Sequence, residues 1–198
     1  MNHLAHLVLA GPDDGKRLGA FLGDHVKGRF ALDGLPADWA AGVRLHRRVD
    51  SLCDGDERLR RFIAGLEPPW RRYAGVVLDV LFDSMLTRHW ERFGPCELAD
   101  FAAGVDELLV RHDAALPPRL RLFSAWARRH DLWTRYDDRA MLGRIFAGLA
   151  RRHGRPSPLA DGLMLLDRHP MAVERLFLEL FPALMDQTRE WRAVDYST

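Results

Sequence analysis

Two aspartates interrupt the most apolar stretch of the chain. Apart from these two aspartates, all residues from Ala74 to Leu86 are apolar or small, a composition typical of a helix that is buried nearly all round. Asp79 and Asp83 are four positions apart, which on an α-helix places both carboxylates on one face with roughly 5–6 Å between their Cβ atoms. A buried carboxylate without a partner is costly, so a compensating cation is expected nearby. The pair predicts either an aspartate–arginine network between helices or a metal site.

Further side chains that bind metal ions occur in the first half of the chain: His3, His6, Asp24, His46, Asp50 and His89. His46 and Asp50 repeat the four-residue spacing of the aspartate pair. Imidazoles and carboxylates brought from several helices to one core make a mixed nitrogen and oxygen site, which suits Mn²⁺, Mg²⁺ or Fe²⁺ better than a structural zinc. Such a site holds water, so the expected chemistry is attack of metal-activated water on a phosphorus centre.

Each of these residues also has a plainer interpretation. His46 and Asp50 are compatible with an ion pair on a helix surface, and His3 and His6 with simple exposure. His89 follows the apolar stretch, where packing in the core or capping of a helix C-terminus is at least as good an interpretation as ligation. The remaining histidines lie among polar or arginine-rich residues and are expected to be solvated.

Several cations lie close in sequence to the candidate ligands. Lys27 follows Asp24 by about one helical turn and could contact a phosphate as a point charge, or extend into solvent. Arginines beside His46 and just before the central helix could line the rim of a metal cavity, or cover solvated helix faces. The candidates for binding phosphate or an anionic partner are Lys27, Arg44, Arg47 and Arg72.

The composition is that expected of one cytoplasmic domain. A chain of 198 residues buries a sizeable core without disulfides, and Cys53 and Cys96 lack the spacing of a thiolate zinc site. Isolated cysteines are typical of a reducing cytoplasm. No apolar run of about 18 residues predicts a membrane span. The formal net charge is +1, and arginines alternate with acids without a continuous basic stripe, which argues against nucleic acid.

The hydrophobic periodicity is helical throughout the chain. No segment shows the alternation of a β-strand, so the fold class is all-α. We predict a single helical domain over residues 1–193, with a frayed tail at residues 194–198. Pro182 is expected to kink the last helix. Helices are predicted in segments 1–10, 16–28, 40–50, 57–66, 74–86, 97–112, 119–130, 138–153, 159–167 and 170–191.

Five short blocks resemble a known family. They occur in order along the first half of the chain and read MNxLAHL (residues 1–7), GDxVKG (23–28), GxxLHRxxD (42–50), LDxxxD (78–83) and RHW (88–90). Together they are similar to the acyl-carrier-protein phosphodiesterases, a family that itself resembles the HD phosphohydrolases. The second half of the chain has compatible length and helical character.

The resemblance implies a helical bundle of the HD type and a manganese-dependent hydrolase. The reaction would cleave the phosphodiester between the serine of holo acyl carrier protein and 4′-phosphopantetheine, giving apo carrier protein and free 4′-phosphopantetheine. The catalytic candidates carried over by motif are Asp24, His46, Asp50, Asp79 and Asp83. The candidate metal ligands are Asp24, His46, Asp79, Asp83 and His6, with Mn²⁺ expected and Mg²⁺ or Fe²⁺ as alternatives.

Two positions depart from the family pattern. Ser84 stands where the family usually has histidine, and His3 where it usually has phenylalanine. If the histidine beside Asp83 acts in relatives, activity here would be weakened, shifted to a residue such as His89, or lost. The alternatives are therefore an HD-type phosphohydrolase of a nucleotide or other small phosphoester, and a carrier-protein-binding relative with impaired catalysis.

Overall fold

All regular structure in the described residues, 1–28 and 30–195 of a computed structural model, is helical. The prediction of an all-α chain is confirmed. The α-helices are α1 (His3–Leu9), α2 (Asp14–Leu22), α3 (Ala37–Gly55), α4 (Glu57–Ala64), α5 (Trp70–Arg88), α6 (Trp90–Phe93), α7 (Leu98–Arg111), α8 (Pro118–Arg129), α9 (Arg139–His153), α10 (Leu163–Arg168) and α11 (Pro170–Asp195).

The helix predicted from the apolar stretch, α5, forms the centre of the hydrophobic core. It buries every apolar side chain from Val77 to Leu86 and packs against α1, α4 and α11. The prediction that this helix is buried nearly all round fails in its N-terminal half, where Val76 is exposed and Asp79 is half-exposed. Only Asp83 of the aspartate pair is fully buried.

Helices α2 and α3 pack with their backbones almost in contact. A Cβ atom added at Gly42 of α3 would collide with the carbonyl oxygen of Lys16, and one at Gly19 of α2 would collide with that of Trp39. Only glycine permits this approach, because every other residue carries a Cβ. The close pairing fixes α3, which carries two candidate ligands, against the loop after α2, which carries a third.

The last helix, α11, covers one side of the bundle and contacts α1, α3, α5 and α10. It continues as one α-helix through Pro182 to Asp195, and residues 196–198 of the predicted tail lie outside the described residues. His89 caps the end of α5, and its Nε2 lies 2.7 Å from a carboxylate oxygen of Glu174 on α11. His89 therefore occupies the helix-capping position that the sequence analysis gave as the alternative to metal ligation. Among the described residues, no helix combines the length and apolar character needed to span a membrane.

Candidate metal centre

Helix α3 places His46 and Asp50 on one face, and α1 places His6 against them. The imidazole rings of the two histidines are stacked, with centroids 3.7 Å apart and an interplanar angle of 17°. His6 Nε2 lies 3.1 Å from Oδ1 of Asp50, and His46 Nε2 lies 3.1 Å from Oδ2. One ligand atom from each of the three residues lies within 4.8 Å of the others. We call this group the His–His–Asp cluster.

The ring of His46 is oriented from behind by α2. Its Nδ1 lies 2.8 Å from the carbonyl oxygen of Ala20, so Nδ1–H donates to that oxygen and Nε2 faces the cluster. A Cβ at Gly23 would collide with this ring, so the glycine leaves room for it. The buried Nε2 makes no hydrogen bond with any described residue, although Asp50 is within ion-pair distance. A buried imidazole nitrogen held in this way is a preformed ligand atom.

Asp24 and Asp79 flank the cluster and are open to solvent. Asp24 lies in the loop after α2, with its side chain 66% exposed and its Oδ1 3.5 Å from His46 Nε2. The Oδ1 atom of Asp79 lies 2.8 Å from the α-amino group of Met1, which is also 3.6 Å from Asp50. A positive group is therefore held between the carboxylates of Asp50 and Asp79.

Asp83 lies outside the cluster and has a different set of partners. Its side chain is fully buried and accepts hydrogen bonds from the backbone N–H groups of Leu4 at 2.8 Å and Ala5 at 3.0 Å. These belong to the first turn of α1, whose N–H groups have no partner within the helix. Asp83 therefore positions the helix that carries His6. The two aspartates of α5 do not share one cation here, because Asp79 contacts the amine of Met1 instead.

The protonation states of the two stacked histidines differ. Burial lowers the pKa of His46, but Asp24 and Asp50 outweigh that effect and raise the pKa to about 9. Burial, followed by the charge of His46, lowers the pKa of His6 to about 4. The interaction with His46, whose Nε2 lies 3.5 Å from Asp24 Oδ1, is the main cause that lowers the pKa of Asp24 to about 2. At neutral pH His46 therefore carries a proton on Nε2 as well as on Nδ1, and a metal ion must displace the Nε2 proton to bind.

The donor set fits a hard divalent cation. Imidazole nitrogens combined with carboxylate oxygens suit Mn²⁺, Mg²⁺ and Fe²⁺. The carbonyl behind His46 is the usual support of a ligating histidine, and the ammonium group of Met1 marks a place where positive charge is stabilised. The residues that would hold such an ion are His6, His46 and Asp50, flanked by Asp24 and Asp79.

The predicted arginines on α3 occupy different places. Arg47 donates through Nη2 to the carbonyl oxygen of Val26 at 2.6 Å, so it ties α3 to the loop after α2. Arg44 lies on the opposite face of α3 from His46, in a small cavity beside Trp191. The structure does not bring Arg44 to the cluster.

Lys27 and Arg72 are exposed. The guanidinium carbon of Arg72 lies 5.7 Å from the ring centroid of Tyr73. Arg72 and Tyr73 border a groove of about 640 Å³, and residues 156–158 form its other wall. Asp79 is two helical turns away, about 10 Å along α5. The groove is therefore separate from the His–His–Asp cluster.

The sequence placed Asp50 among the catalytic candidates but not among the metal ligands, whereas in the structure it is the residue that both imidazoles share. Two further parts of this centre were missed. The Ala20 carbonyl and the Met1 amine left no signal, because both are backbone groups whose positions depend on tertiary packing.

Comparison with known proteins supports the assignment made from the five blocks. The sequence pattern described as "Acyl carrier protein phosphodiesterase" matches residues 1–184. The chain belongs to this family. Acyl carrier protein phosphodiesterases of Serratia proteamaculans and Yersinia pestis are 32% and 31% identical to it over 191 and 190 residues, which is 96% of this chain and 98% of theirs. The one from Escherichia coli O157:H7 is 32% identical over 188 residues, 94% of this chain and 97% of its own.

No solved structure matches the chain. The predicted resemblance to this family is confirmed by the sequence comparisons, and with it the prediction that the protein is an enzyme.

Proposed function

We propose that the protein is a metal-dependent phosphodiesterase that removes 4′-phosphopantetheine from holo acyl carrier protein. The observation that carries the proposal is the His–His–Asp cluster, a nitrogen and oxygen donor set that opens to solvent between Asp24 and Asp79. The names of the relatives support the choice of substrate, since each is called an acyl carrier protein phosphodiesterase. A cytoplasmic location stays a prediction from the two unpaired cysteines.

A bound divalent cation would supply neutralisation of phosphoryl charge and acidification of water. The Nε2 atoms of His6 and His46 and a carboxylate oxygen of Asp50 are the groups that would hold it. The Ala20 carbonyl keeps the Nδ1 proton of His46 in place, so that Nε2 is the nitrogen available for ligation.

The two flanking carboxylates have separate roles in this proposal. Asp24, with a pKa of about 2, is a weak base at neutral pH and contributes negative charge rather than accepting a proton. We assign to Asp79, on the open face of α5, the acceptance of the proton from the attacking water. Ser84 is fully buried, so the departure from the family at this position does not alter the surface that substrate meets.

The direct test is incubation with holo acyl carrier protein in Mn²⁺ and, in parallel, in chelator, followed by the intact mass of the carrier protein. We expect the mass of 4′-phosphopantetheine to be lost only in the presence of metal. Metal binding without this loss would contradict the proposal. Restoring the family residue with Ser84→His would then distinguish an impaired enzyme, which regains activity, from a hydrolase of another substrate, which does not.

A panel of nucleotides and small phosphoesters tests the nearest alternative. Faster turnover of any of them than of holo carrier protein would favour a small-molecule phosphohydrolase. Binding of the carrier protein without metal uptake would favour a non-catalytic relative.

A further inference from the structure

Four parts of the chain that pack near the candidate centre each carry an exposed cation. These cations lie in the loop after α2, on α5, on α8 and on α9. In the part of the chain that the structure describes, none of them forms an ion pair with an acidic side chain. We call this group the basic arc; it consists of Lys27, Arg72, Arg119 and Arg152.

Helix α8 brings Arg119 towards the opening. Phe123 lies one turn after Arg119 on the same face of α8, and its ring centroid is 4.7 Å from that of His3. His3 in turn lies 5.0 Å from Phe21, near the end of α2. Asp24 follows Phe21 by three residues, so the first turn of α8 lies on the same side of the molecule as the loop that carries Asp24.

Helix α9 joins two members of the arc. His153, the residue after Arg152, has its Nε2 3.4 Å from the hydroxyl group of Tyr73 on α5. The guanidinium carbon of Arg72 lies 5.7 Å from the ring centroid of the same tyrosine. The end of α9 and the start of α5 therefore present Arg152 and Arg72 on one continuous surface.

His25, the exposed neighbour of Asp24, lies within electrostatic range of the other cations. Arg119, Lys27 and Arg152 are each close enough for their charge to act on its imidazole. Three cations that are far apart in sequence are therefore near one side chain beside the candidate centre.

We propose that the basic arc is the surface on which the carrier protein docks through an acidic face. This inference rests on the proposed function and adds to it residues from the second half of the chain. The flanking carboxylates Asp24 and Asp79 repel an acidic protein at the opening, and cations beside them offset that repulsion. A protein interface of standard size buries about 800 Å² on each partner, so it must extend beyond the cluster onto this surrounding surface. Complementary charge also raises the rate of encounter.

The test measures binding of apo carrier protein, which has no phosphodiester, so that docking is read separately from hydrolysis. The test variant is the double substitution Arg119→Glu with Arg152→Glu. The matched control is Arg129→Glu with Arg151→Glu, which changes the same charge on exposed positions of the same two helices. Affinity is measured by isothermal titration calorimetry at low salt, and the fold of each variant is checked by circular dichroism and thermal unfolding.

We expect the test variant to bind apo carrier protein at least about tenfold more weakly than the unmodified protein, and the control to change by less than about twofold. Raising the salt concentration should weaken binding of the unmodified protein more than binding of the test variant. Equal affinity of the folded test and control variants would overturn the proposal, and so would a loss of nucleotide affinity with carrier-protein affinity intact. Docking through the arc without hydrolysis of holo carrier protein would contradict only the proposed function.

Discussion

The carboxylate of Asp50 is the group that both stacked imidazoles share. His6 faces one of its oxygens and His46 the other, so replacing either oxygen by an amide nitrogen removes a ligand atom and places a donor beside a histidine. We therefore expect the candidate centre to be more sensitive to substitution of Asp50 than to substitution of any other side chain.

We expect Asp50→Asn to abolish thermal stabilisation by Mn²⁺. A ligand at about 100 times its Kd stabilises a folded protein by about 2.7 kcal/mol, or about 5–10 °C for a chain of this size. Thermal unfolding with Mn²⁺ and with chelator measures the shift. Asp54→Asn, an exposed change one turn later on α3, should keep the shift, whereas a normal shift in Asp50→Asn would remove Asp50 from the ligand set.

Metal affinity should depend on pH because of His46. Its pKa of about 9 means that below that pH a metal ion must displace a proton, so the apparent affinity for Mn²⁺ should rise by about tenfold per pH unit from pH 6 to 8. Calorimetry in buffers of different ionisation enthalpy measures both the affinity and the proton released. A pH-independent affinity would show that metal binding displaces no proton from His46 Nε2.

The stability of the metal-free protein should fall, rather than rise, with increasing pH. Because the folded pKa of His46 is raised from 6.5 to about 9, its protonation contributes stability that is complete below about pH 6.5 and is lost as the pH rises through 9. Urea unfolding in chelator should show this decline between those two values. The decline should be smaller in His46→Gln, which has no titrating ring.

Helices α2 and α3 owe their close approach to glycines, and the cluster depends on that approach. Gly42→Ala should destabilise the protein by about 1–3 kcal/mol, because the new Cβ would collide with the backbone of α2. Gly104→Ala on α7 is the matched control: no atom would lie near the added Cβ, so the substitution should stabilise the helix by about 0.5–1 kcal/mol. Urea denaturation measures both. Equal effects of the two substitutions would mean that α2 and α3 can separate freely.

The attachment of α1 to α5 depends on Asp83. In Asp83→Asn the amide group can offer only one oxygen to the two N–H donors of Leu4 and Ala5, so we expect a loss of about 1–3 kcal/mol in the free energy of unfolding. Asp186→Asn on α11 should cost little, because it removes only an exposed ion pair with Arg189. If Asp83→Asn were as stable as this control, the hydrogen bonds to α1 would contribute nothing net.

Most of the helices could be predicted from the sequence, because the apolar periodicity of each reflects which side is buried. The exceptions include α6, which was not predicted, and the segment 16–28, which is helical only to Leu22. The open face of α5 could not be predicted. Gly75 and Val76 have the composition of a buried segment, and only the arrangement of neighbouring helices leaves them exposed. For the same reason Asp79 and Asp83, equivalent in sequence, differ in burial and in partners.

At the level of the whole molecule, the five blocks were enough to recognise the family. They also contain the residues that the structure brings together at the candidate centre, which are His6, Asp24, His46, Asp50 and Asp79. Arg119 and Arg152 could not be predicted, because an arginine on an amphipathic helix has the same pattern whether it faces bulk solvent or a binding surface. Their proximity to His25 arises only when α8 and α9 pack beside α2 and α5.

The charge arrangement of the whole surface should give catalysis a strong dependence on ionic strength. The formal net charge is only +1, so long-range attraction of an acidic protein must come from the local basic arc, which salt screens over about 8–10 Å. We expect kcat/KM for holo carrier protein to fall steeply between about 50 and 300 mM NaCl. Turnover of a small phosphodiester should change far less over this range, and parallel declines for both substrates would indicate an effect of salt on the centre itself.

The attachment of α1 also has a consequence for the order of folding. Its first turn is held by Asp83, 78 and 79 residues away along the chain, and the carbonyl oxygen of Leu9 at its end accepts a hydrogen bond from Arg192, 183 residues away. Contacts that close such long loops form late, after local helices and helix pairs have assembled. Helices α2 and α3 can pair early and orient His46 against Ala20, whereas His6 reaches Asp50 only when α1 inserts into a nearly complete bundle. Competence to bind metal should therefore develop in the slowest phase of refolding.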